Sequence, residues 1–303
     1  MKARIFLVVL LVLAAAFAGR WVTRMNTTHV SKQEETRQTG RLDAGARVEV
    51  SGINGSVEVA TADTDTAEVR VVRTAAAAED LEYHKVTVEL TSSSVVVRGE
   101  NNGGRGFWRW LWGGGGQVKQ DVTLRLPRRV EFLAKGVNGG VRVGEVEGPV
   151  GVEGINGRVE VAQSLGHTEI KGVNGGVKFG VAQLGPEGMD IKGVNGNVEI
   201  RFKEQVNADI DVKGQNGGLT LNVPNVTMQE RQSFSNMRAR LGAGGSPIEI
   251  KGVNGQVRFE SDAPATTTTN AVPGVGTSSP VVGTLPPVAP GPNVPKPPAP
   301  PGY

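Results

Sequence analysis

The sequence contains no cysteine and only three histidines. Without cysteine the chain can form neither a disulfide nor a lipoprotein anchor nor a cysteine-based metal site. His29, His84 and His167 are isolated and lack the spacing of metal ligands. A phosphate-binding loop, a Gly-x-Ser-x-Gly nucleophile motif and a Gly-Gly-x-Gly-x-Asp calcium repeat are also absent from the sequence. We therefore expect no cofactor, no metal and no enzymatic activity.

The chain also lacks a strong excess of charge of either sign. Its formal net charge is +3 over 303 residues, and loss of Lys2 and Arg4 with an N-terminal leader would leave about +1. Basic residues are spread along the chain and are not interleaved with base-stacking aromatic residues, so nothing supports nucleic-acid binding.

The N-terminus has the features of a secretory signal peptide. Met1-Lys2-Ala3-Arg4 precedes an apolar stretch, Ile5–Phe17, which is shorter than the ~20 residues of a membrane-spanning helix. Ala16-Phe17-Ala18 provides a cleavage site, which predicts cleavage after Ala18. An uncleaved N-terminal anchor is the alternative. Either way we expect an exported protein in the bacterial periplasm, at the cell surface or outside the cell; a disulfide-free exported chain suits the bacterial envelope.

Composition divides the rest of the chain into three parts. Residues 19–44 are polar and charged and are predicted to form a tether. Residues 45–262 are predicted to be one folded repeat domain. From Ala263 the chain becomes rich in threonine and proline, with Lys296 as its only charge, so 263–303 is predicted to be a disordered or polyproline II tail.

A four-residue phrase, Gly-(Val/Ile/Gln)-Asn-Gly, recurs seven times in the predicted domain. Successive copies are 84, 18, 18, 21, 21 and 38 residues apart. A period near 20 predicts stacked supersecondary units. The asparagines of the phrase are Asn54, Asn138, Asn156, Asn174, Asn195, Asn216 and Asn254.

Around each phrase, apolar and polar residues alternate. Ile191, Val198 and Ile200 alternate with charged neighbours, which indicates strands with one buried face. Asn-Gly tolerates positive φ and so predicts a tight corner. An antiparallel meander would also use Asn-Gly, but a single-stranded β-solenoid (β-helix) better explains identical corners at a fixed spacing. We predict an all-β, right-handed solenoid of 18–21 residues per coil, with three short strands in each coil. The residues predicted to face its core are Val141, Val143, Val159, Val161, Val177, Phe179, Val198, Ile200, Leu219, Leu221, Val257 and Phe259.

Two columns of this solenoid have an evident structural role. The corner asparagines can hydrogen-bond to one another along the axis without any ligand. Lysines that precede the corners, such as Lys171 and Lys192, could form a basic stripe, but Glu169 and Asp190 beside them favour a self-compensating surface.

A tryptophan-rich segment at 101–117 interrupts the repeats. Three of the four tryptophans of the chain lie here between glycine runs. The segment could cap the open end of a solenoid. Alternatively, it docks onto a membrane surface, a cell-wall glycan or another envelope protein. Its candidate docking residues are Phe107, Trp108, Trp110, Leu111 and Trp112.

A second interruption, at 225–245, fits a short helix. Phe234, Met237 and Leu241 fall at i, i+3 and i+7, and Gly242 could end the helix. An irregular extra coil is the alternative.

Carboxylates for a carbohydrate-active site are scarce. Glu153, Glu160, Asp190 and Asp211 are candidates, but each already fits a salt-bridge position. A carbohydrate-active β-helix is therefore the weakest functional alternative.

The chain resembles the putative-adhesin family of bacterial domains of unknown function over roughly residues 45–260. The resemblance rests on the strand pair Val48–Val59, on Asp121–Pro127, on the Asn-Gly coils and on Gly244–Ile250. Where that family commonly has Ser-Gly-Asp at the corner, this chain has Val-Asn-Gly. The resemblance implies a β-solenoid of the bacterial envelope without established activity. We expect a non-enzymatic interaction scaffold, with a self-assembling structural protein as the alternative.

Overall fold

The computed structural model describes residues 31–101, 118–233 and 236–262. These residues form an all-β protein of two large mixed sheets, as the alternating pattern predicted. One short helix, α1 (Ala78–Tyr83), joins two of the strands.

The first sheet, sheet A, has ten strands in the spatial order β1 (Lys32–Arg41), β4 (Thr66–Ala75), β7 (Lys119–Pro127), β3 (Val57–Ala62), β9 (Val141–Val146), β11 (Val159–Ser164), β13 (Val177–Val181), β15 (Val198–Phe202), β21 (Val257–Ser261) and β17 (Leu219–Asn222). The second, sheet B, has eleven strands in the order β5 (His84–Leu90), β6 (Ser94–Asn101), β2 (Ala46–Ser51), β8 (Val130–Lys135), β10 (Val150–Ile155), β12 (Thr168–Asn174), β14 (Met189–Asn195), β20 (Ser246–Val253), β16 (Ala208–Lys213), β19 (Asn236–Leu241) and β18 (Val226–Ser233).

In every repeat the chain crosses from sheet B to sheet A and back again. We call a sheet B strand, its corner and the following sheet A strand a coil. In space the coils follow the order β6–β7, β2–β3, β8–β9, β10–β11, β12–β13, β14–β15, β20–β21 and β16–β17, and all neighbouring coils pair in parallel. Each coil has two strands and not the predicted three, because most of the remaining residues lie in its two turns.

The second coil from each end is out of sequence order. The first coil in the chain, β2–β3, lies between β6–β7 and β8–β9, and the last, β20–β21, lies between β14–β15 and β16–β17. Each of these two coils is therefore hydrogen-bonded on both sides. Antiparallel strands extend both sheets at the β6–β7 end of the stack and sheet B alone at the β16–β17 end.

The predicted inward residues form the core between the sheets. Ten of them are at most 2% exposed: Val141, Val143, Val159, Val161, Val177, Phe179, Val198, Ile200, Val257 and Phe259. The other two, Leu219 and Leu221, are only partly buried, because β17 is the last strand of sheet A. The period-two register is thus confirmed.

Lys32–Arg41, which the sequence analysis assigned to the polar tether, forms an edge strand. This strand, β1, pairs with β4 along its whole length. Its side chains are mostly exposed, so it carries no apolar alternation that sequence reasoning could detect. Cross-strand ion pairs add to the backbone pairing, including Arg70 Nε to Glu35 Oε1 at 2.7 Å and Arg37 Nη2 to Glu68 Oε1 at 2.9 Å.

The predicted helix at 225–245 is wrong, because this part of the chain forms the antiparallel strands β18 and β19. Met237, Ala239 and Leu241 are buried, while Arg238 and Arg240 between them are exposed. That period-two alternation competes with the helical spacing of Met237 and Leu241, and pairing with β16 decides in favour of the strand.

The outer face of sheet A carries a column of alternating charge. In spatial order the column reads Glu58, Arg142, Glu160, Lys178, Glu199 and Arg258. Arg142 Nε lies 3.0 Å from Glu160 Oε2, and Lys178 Nζ lies 3.3 Å from Glu199 Oε1. The out-of-order coil completes the alternation, because it places Arg258 next to Glu199.

On sheet B a column of lysines lies beside a column of acids, and four of these lysines pair with the acid two residues before them on the same strand. Lys251 Nζ lies 2.7 Å from Glu249 Oε2, and Lys213 Nζ lies 2.6 Å from Asp211 Oδ2. Lys171 and Lys192 bind Glu169 and Asp190 in the same way. The hydrogen bond from Lys171 lowers the pKa of Glu169, and the one to Asp190 raises the pKa of Lys192. These pairs favour the self-compensating surface over a basic stripe.

We predict that Val177→Asp prevents folding, because Val177 is 2% exposed and an unpaired buried charge costs several kcal/mol. Ala162→Asp introduces the same acid on the exposed face of neighbouring β11 and should melt close to wild type. Thermal unfolding followed by circular dichroism measures both. A cooperative transition of Val177→Asp at the wild-type temperature would disprove the inward register of β13.

Candidate functional site

The seven corner asparagines form one continuous ladder along an edge of the stack. Except at Asn54, the first in space, each side-chain Nδ2 donates to the Oδ1 of the asparagine in the preceding coil. The donor-to-acceptor distances are 2.9 Å for Asn138 to Asn54, 2.9 Å for Asn156 to Asn138, 3.0 Å for Asn174 to Asn156, 3.1 Å for Asn195 to Asn174, 3.1 Å for Asn254 to Asn195 and 3.2 Å for Asn216 to Asn254. The ladder therefore crosses all the coils that contain the phrase.

The two glycines of each phrase have different tasks. The first has a left-handed φ in every copy, as at Gly193 with 63°, whereas the second is at 156° in Gly196 and the asparagines are not left-handed. The second lies against the coil below it: a Cβ on Gly196 would stand 2.2 Å from the carbonyl oxygen of Gly175. Asn-Gly is thus required for close stacking of coils and not for the left-handed turn that the sequence analysis assigned to it.

The ladder ends at a coil whose corner lacks the phrase. In the coil β6–β7 the chain leaves β6 at Asn101, and the next described residue is Val118. Gly99 stacks on Gly52 and so takes the place of a first corner glycine. In the sequence, the tryptophan-rich segment thus follows β6 at the point where the other coils have the rest of the phrase. Its residues 102–117, with the predicted docking residues Phe107, Trp108, Trp110, Leu111 and Trp112, lie outside the described residues.

Two acceptors, on Gln120 and Val118, bind Asn54 at the end of the ladder. Within the ladder the backbone N–H of an asparagine bonds to a corner carbonyl of the previous coil, as in Asn138 to Ile53 at 2.8 Å. The N–H of Asn54 instead donates to the side-chain Oε1 of buried Gln120 at 3.1 Å. The Asn54 Nδ2 donates to the carbonyl of Val118 at 2.9 Å. The exit of the tryptophan-rich segment is therefore fixed to the end of the ladder.

Asp121 holds the same region from the outer face of β7. Its Oδ1 accepts the N–H of Ser56 at 3.0 Å and the hydroxyl of Ser56 at 2.6 Å, and its Oδ2 lies 2.7 Å from Lys119 Nζ. Partial burial by itself raises the pKa of Asp121, but the hydrogen bonds from Lys119 and Ser56 outweigh it and leave the pKa below the usual value. Asp121 is therefore ionised at neutral pH.

These anchoring residues were not identified in the sequence. Gln120 and Asp121 lie outside every copy of the phrase, and their role depends on contacts 64 to 66 residues away along the chain. One residue that matches the phrase, Gly99, is present near the end of β6, and this residue was the available clue.

The four carboxylates considered for catalysis do not converge. Glu153, Asp190 and Asp211 lie on sheet B and Glu160 on sheet A. Each is within an ion pair, with Lys135, Lys192, Lys213 and Arg142 respectively. Among residues 31–101, 118–233 and 236–262, no group of three or more His, Asp or Glu side chains could hold a metal ion. In the same ranges no helix has the length and apolar character needed to cross a membrane.

Neither a protein-family model nor a curated protein sequence matches this chain. Solved structures that it resembles include a putative cell adhesion protein from Clostridium sporogenes, at 9% identity and a TM-score of 0.37 over 76% of this chain and 100% of that one. A putative adhesin from Bacteroides fragilis has 9% identity and a TM-score of 0.34 over 75% and 97% of the two chains. A putative lipid binding protein from Parabacteroides distasonis has 8% identity and a TM-score of 0.25 over 76% and 96%. TM-scores this low carry no argument about this chain.

We predict that Asn174→Ala lowers the melting temperature by a few degrees. It removes two ladder bonds, each with a net contribution of about 1 kcal/mol, and 1 kcal/mol shifts the melting temperature by roughly 2–4 °C in a domain of this size. Asn216→Ala, at the end of the ladder, removes one such bond and should have about half the effect. Equal melting of both variants and wild type by differential scanning calorimetry would show that the ladder adds no stability.

Proposed function

We propose that the protein is an exported, non-enzymatic β-solenoid of the bacterial envelope. On this view the stack of coils is an interaction scaffold, and the tryptophan-rich segment is the part that docks. The partner is a membrane surface, a cell-wall glycan or another envelope protein.

The regular crossing between the sheets supports the solenoid. From β8 to β13 every strand pairs in parallel with the strand two positions later in the chain. The asparagine ladder and the glycine column keep the corners in one line along the stack. A rigid rod of this kind holds an attached segment at a fixed place, which suits a scaffold.

The position of the tryptophan-rich segment carries the docking proposal. It replaces the one corner in the eight described coils that lacks the phrase, and both of its ends are held by the fold. His84 on β5 pairs with Asn101, the first residue of the segment, and Val118 after it is buried with Ala75 of β4 and Leu81 of α1. A segment of glycine and tryptophan with fixed ends is suited to presenting indole rings to a partner.

The alternative role is a cap over the end of the stack, and described residues already lie across that end. Strands β1 and β5 meet across that end, where Gln38 Nε2 donates to the carbonyl of Val88 at 3.4 Å. Gly40 lies against Leu90, and Leu81 of α1 closes the corner. Because the described strands and α1 supply this cover, the three tryptophans are not needed for it, which favours docking.

Replacement of Trp108, Trp110 and Trp112 together by alanine should abolish most binding and leave the melting temperature unchanged. The reason is that docking uses the indoles, whereas the fold uses the anchors Gln120 and Val118. Co-sedimentation of the chain without residues 1–18 is measured with liposomes, with peptidoglycan and with insoluble polysaccharides, and the sedimenting material identifies the class of partner.

Trp21→Ala is the matched control, since it removes the one tryptophan outside the segment. It should bind like wild type. If the triple variant binds as well as wild type, the segment is not the docking element. If wild type binds none of the three materials, a membrane surface and a cell-wall glycan are excluded as partners, and another envelope protein is left.

A further inference from the structure

The strand that ends sheet A, β17 (Leu219–Asn222), has an open edge. In the part of the chain that the structure describes, β17 pairs only with β21. The carbonyl of Gly218 accepts the N–H of Val257 at 2.9 Å, so the backbone groups of Gly218 and Thr220 face β21. Strand alternation then turns the N–H and C=O groups of Leu219 and Leu221 towards the open side.

This edge has none of the charges that usually protect an edge strand. Among the strands of the described residues, β17 is the only one without Asp, Glu, Lys or Arg. Thr220 occupies the column in which Glu199 and Arg258 stand on the two preceding strands. At the other end of sheet A, β1 carries Lys32, Glu34, Glu35, Arg37 and Arg41. Native proteins place charges on edge strands to prevent pairing, so their absence at β17 indicates that this edge has a partner.

The side chains around β17 are also incompletely covered. Leu219 and Leu221 are partly buried, whereas their equivalents Val257 and Phe259 in the adjacent coil are fully buried. Met228 on β18, at the same end of the stack, is 45% exposed. In the same coil, the buried side chain of Gln215 has an Oε1 without a hydrogen-bond donor among the described residues. The end of the stack at β17 thus has incompletely buried apolar side chains and a buried polar atom without a hydrogen-bond donor among the described residues.

We propose that β17 pairs antiparallel with β17 of a second copy of this chain, around a twofold axis, so that sheet A continues from one copy into the other. At such an axis each side chain lies near its own counterpart, so any charge on β17 would face a like charge. A neutral Leu-Thr-Leu-Asn strand avoids this repulsion, and threonine is a favourable cross-strand partner of threonine. The charged, closed end at β1 and β5 cannot pair in this way, so assembly stops at a dimer.

Sedimentation equilibrium of the chain without residues 1–18 tests this proposal. Wild type should be dimeric, and Thr220→Lys should weaken the dimer about tenfold or more, because it places two lysines close together at the axis. Ala162→Lys adds the same charge on the exposed face of β11, away from any edge, and should remain dimeric. Hydrogen exchange should show the amides of Leu219 and Leu221 protected in wild type and unprotected in Thr220→Lys.

A chain that ends at Asp262 separates self-pairing from cover by residues 263–303. These residues follow β21 in the sequence, and β21 is the neighbour of β17. If a second copy pairs with β17, this shortened chain is dimeric like wild type. A wild type that stays monomeric up to its solubility limit would overturn the proposal. A monomeric wild type together with a dimeric shortened chain would assign the edge to residues 263–303. An unchanged dimer in Thr220→Lys would place the interface elsewhere.

Discussion

Close parallel stacking of the coils at their corners is the constraint on which the rest of this structure depends. Neighbouring strands in a sheet are about 4.8 Å apart, and at the corner this spacing leaves no room for a Cβ at Gly196. The same approach brings the asparagine side chains within hydrogen-bond distance of one another. One repeated phrase therefore specifies the turn, the distance between coils and the ladder.

The order of the coils follows from interactions that the phrase does not encode. Both the first and the last coil of the chain are inserted one place in from an end, so neither can separate from the stack without losing pairing on two sides. At the C-terminal end this insertion places Arg258 between Glu199 and Thr220, and the charge column then alternates without interruption. Opposite charges on adjacent strands contribute roughly 0.2–1 kcal/mol a pair, which favours this order over the sequential one.

Sequence reasoning succeeded where structure is local and periodic, and failed where it depends on distant partners. The alternation around each phrase identified Val159, Val177 and Val198 as core residues and placed the asparagines in one column. The same phrase occurs in seven coils, so it could not reveal that β20 lies between β14 and β16. The polar strand β1 has no apolar pattern, and its pairing with β4 comes from backbone contacts. At the candidate site the ladder was predictable, but its termination on Gln120 and Val118 depends on a fold-specific contact between distant residues.

The out-of-order stack can be tested directly because the chain has no cysteine of its own. Cysteines at positions 199 and 258 replace a directly paired Glu–Arg couple on adjacent strands, within disulfide range. Cysteines at positions 199 and 220 are two strands apart, about 10 Å, which is too far. We predict that mild oxidation crosslinks the 199/258 variant and leaves the 199/220 variant reduced, as measured by mass spectrometry of proteolytic fragments. Crosslinking of 199/220 without 199/258 would contradict this account, because it would mean that the coils stack in sequence order.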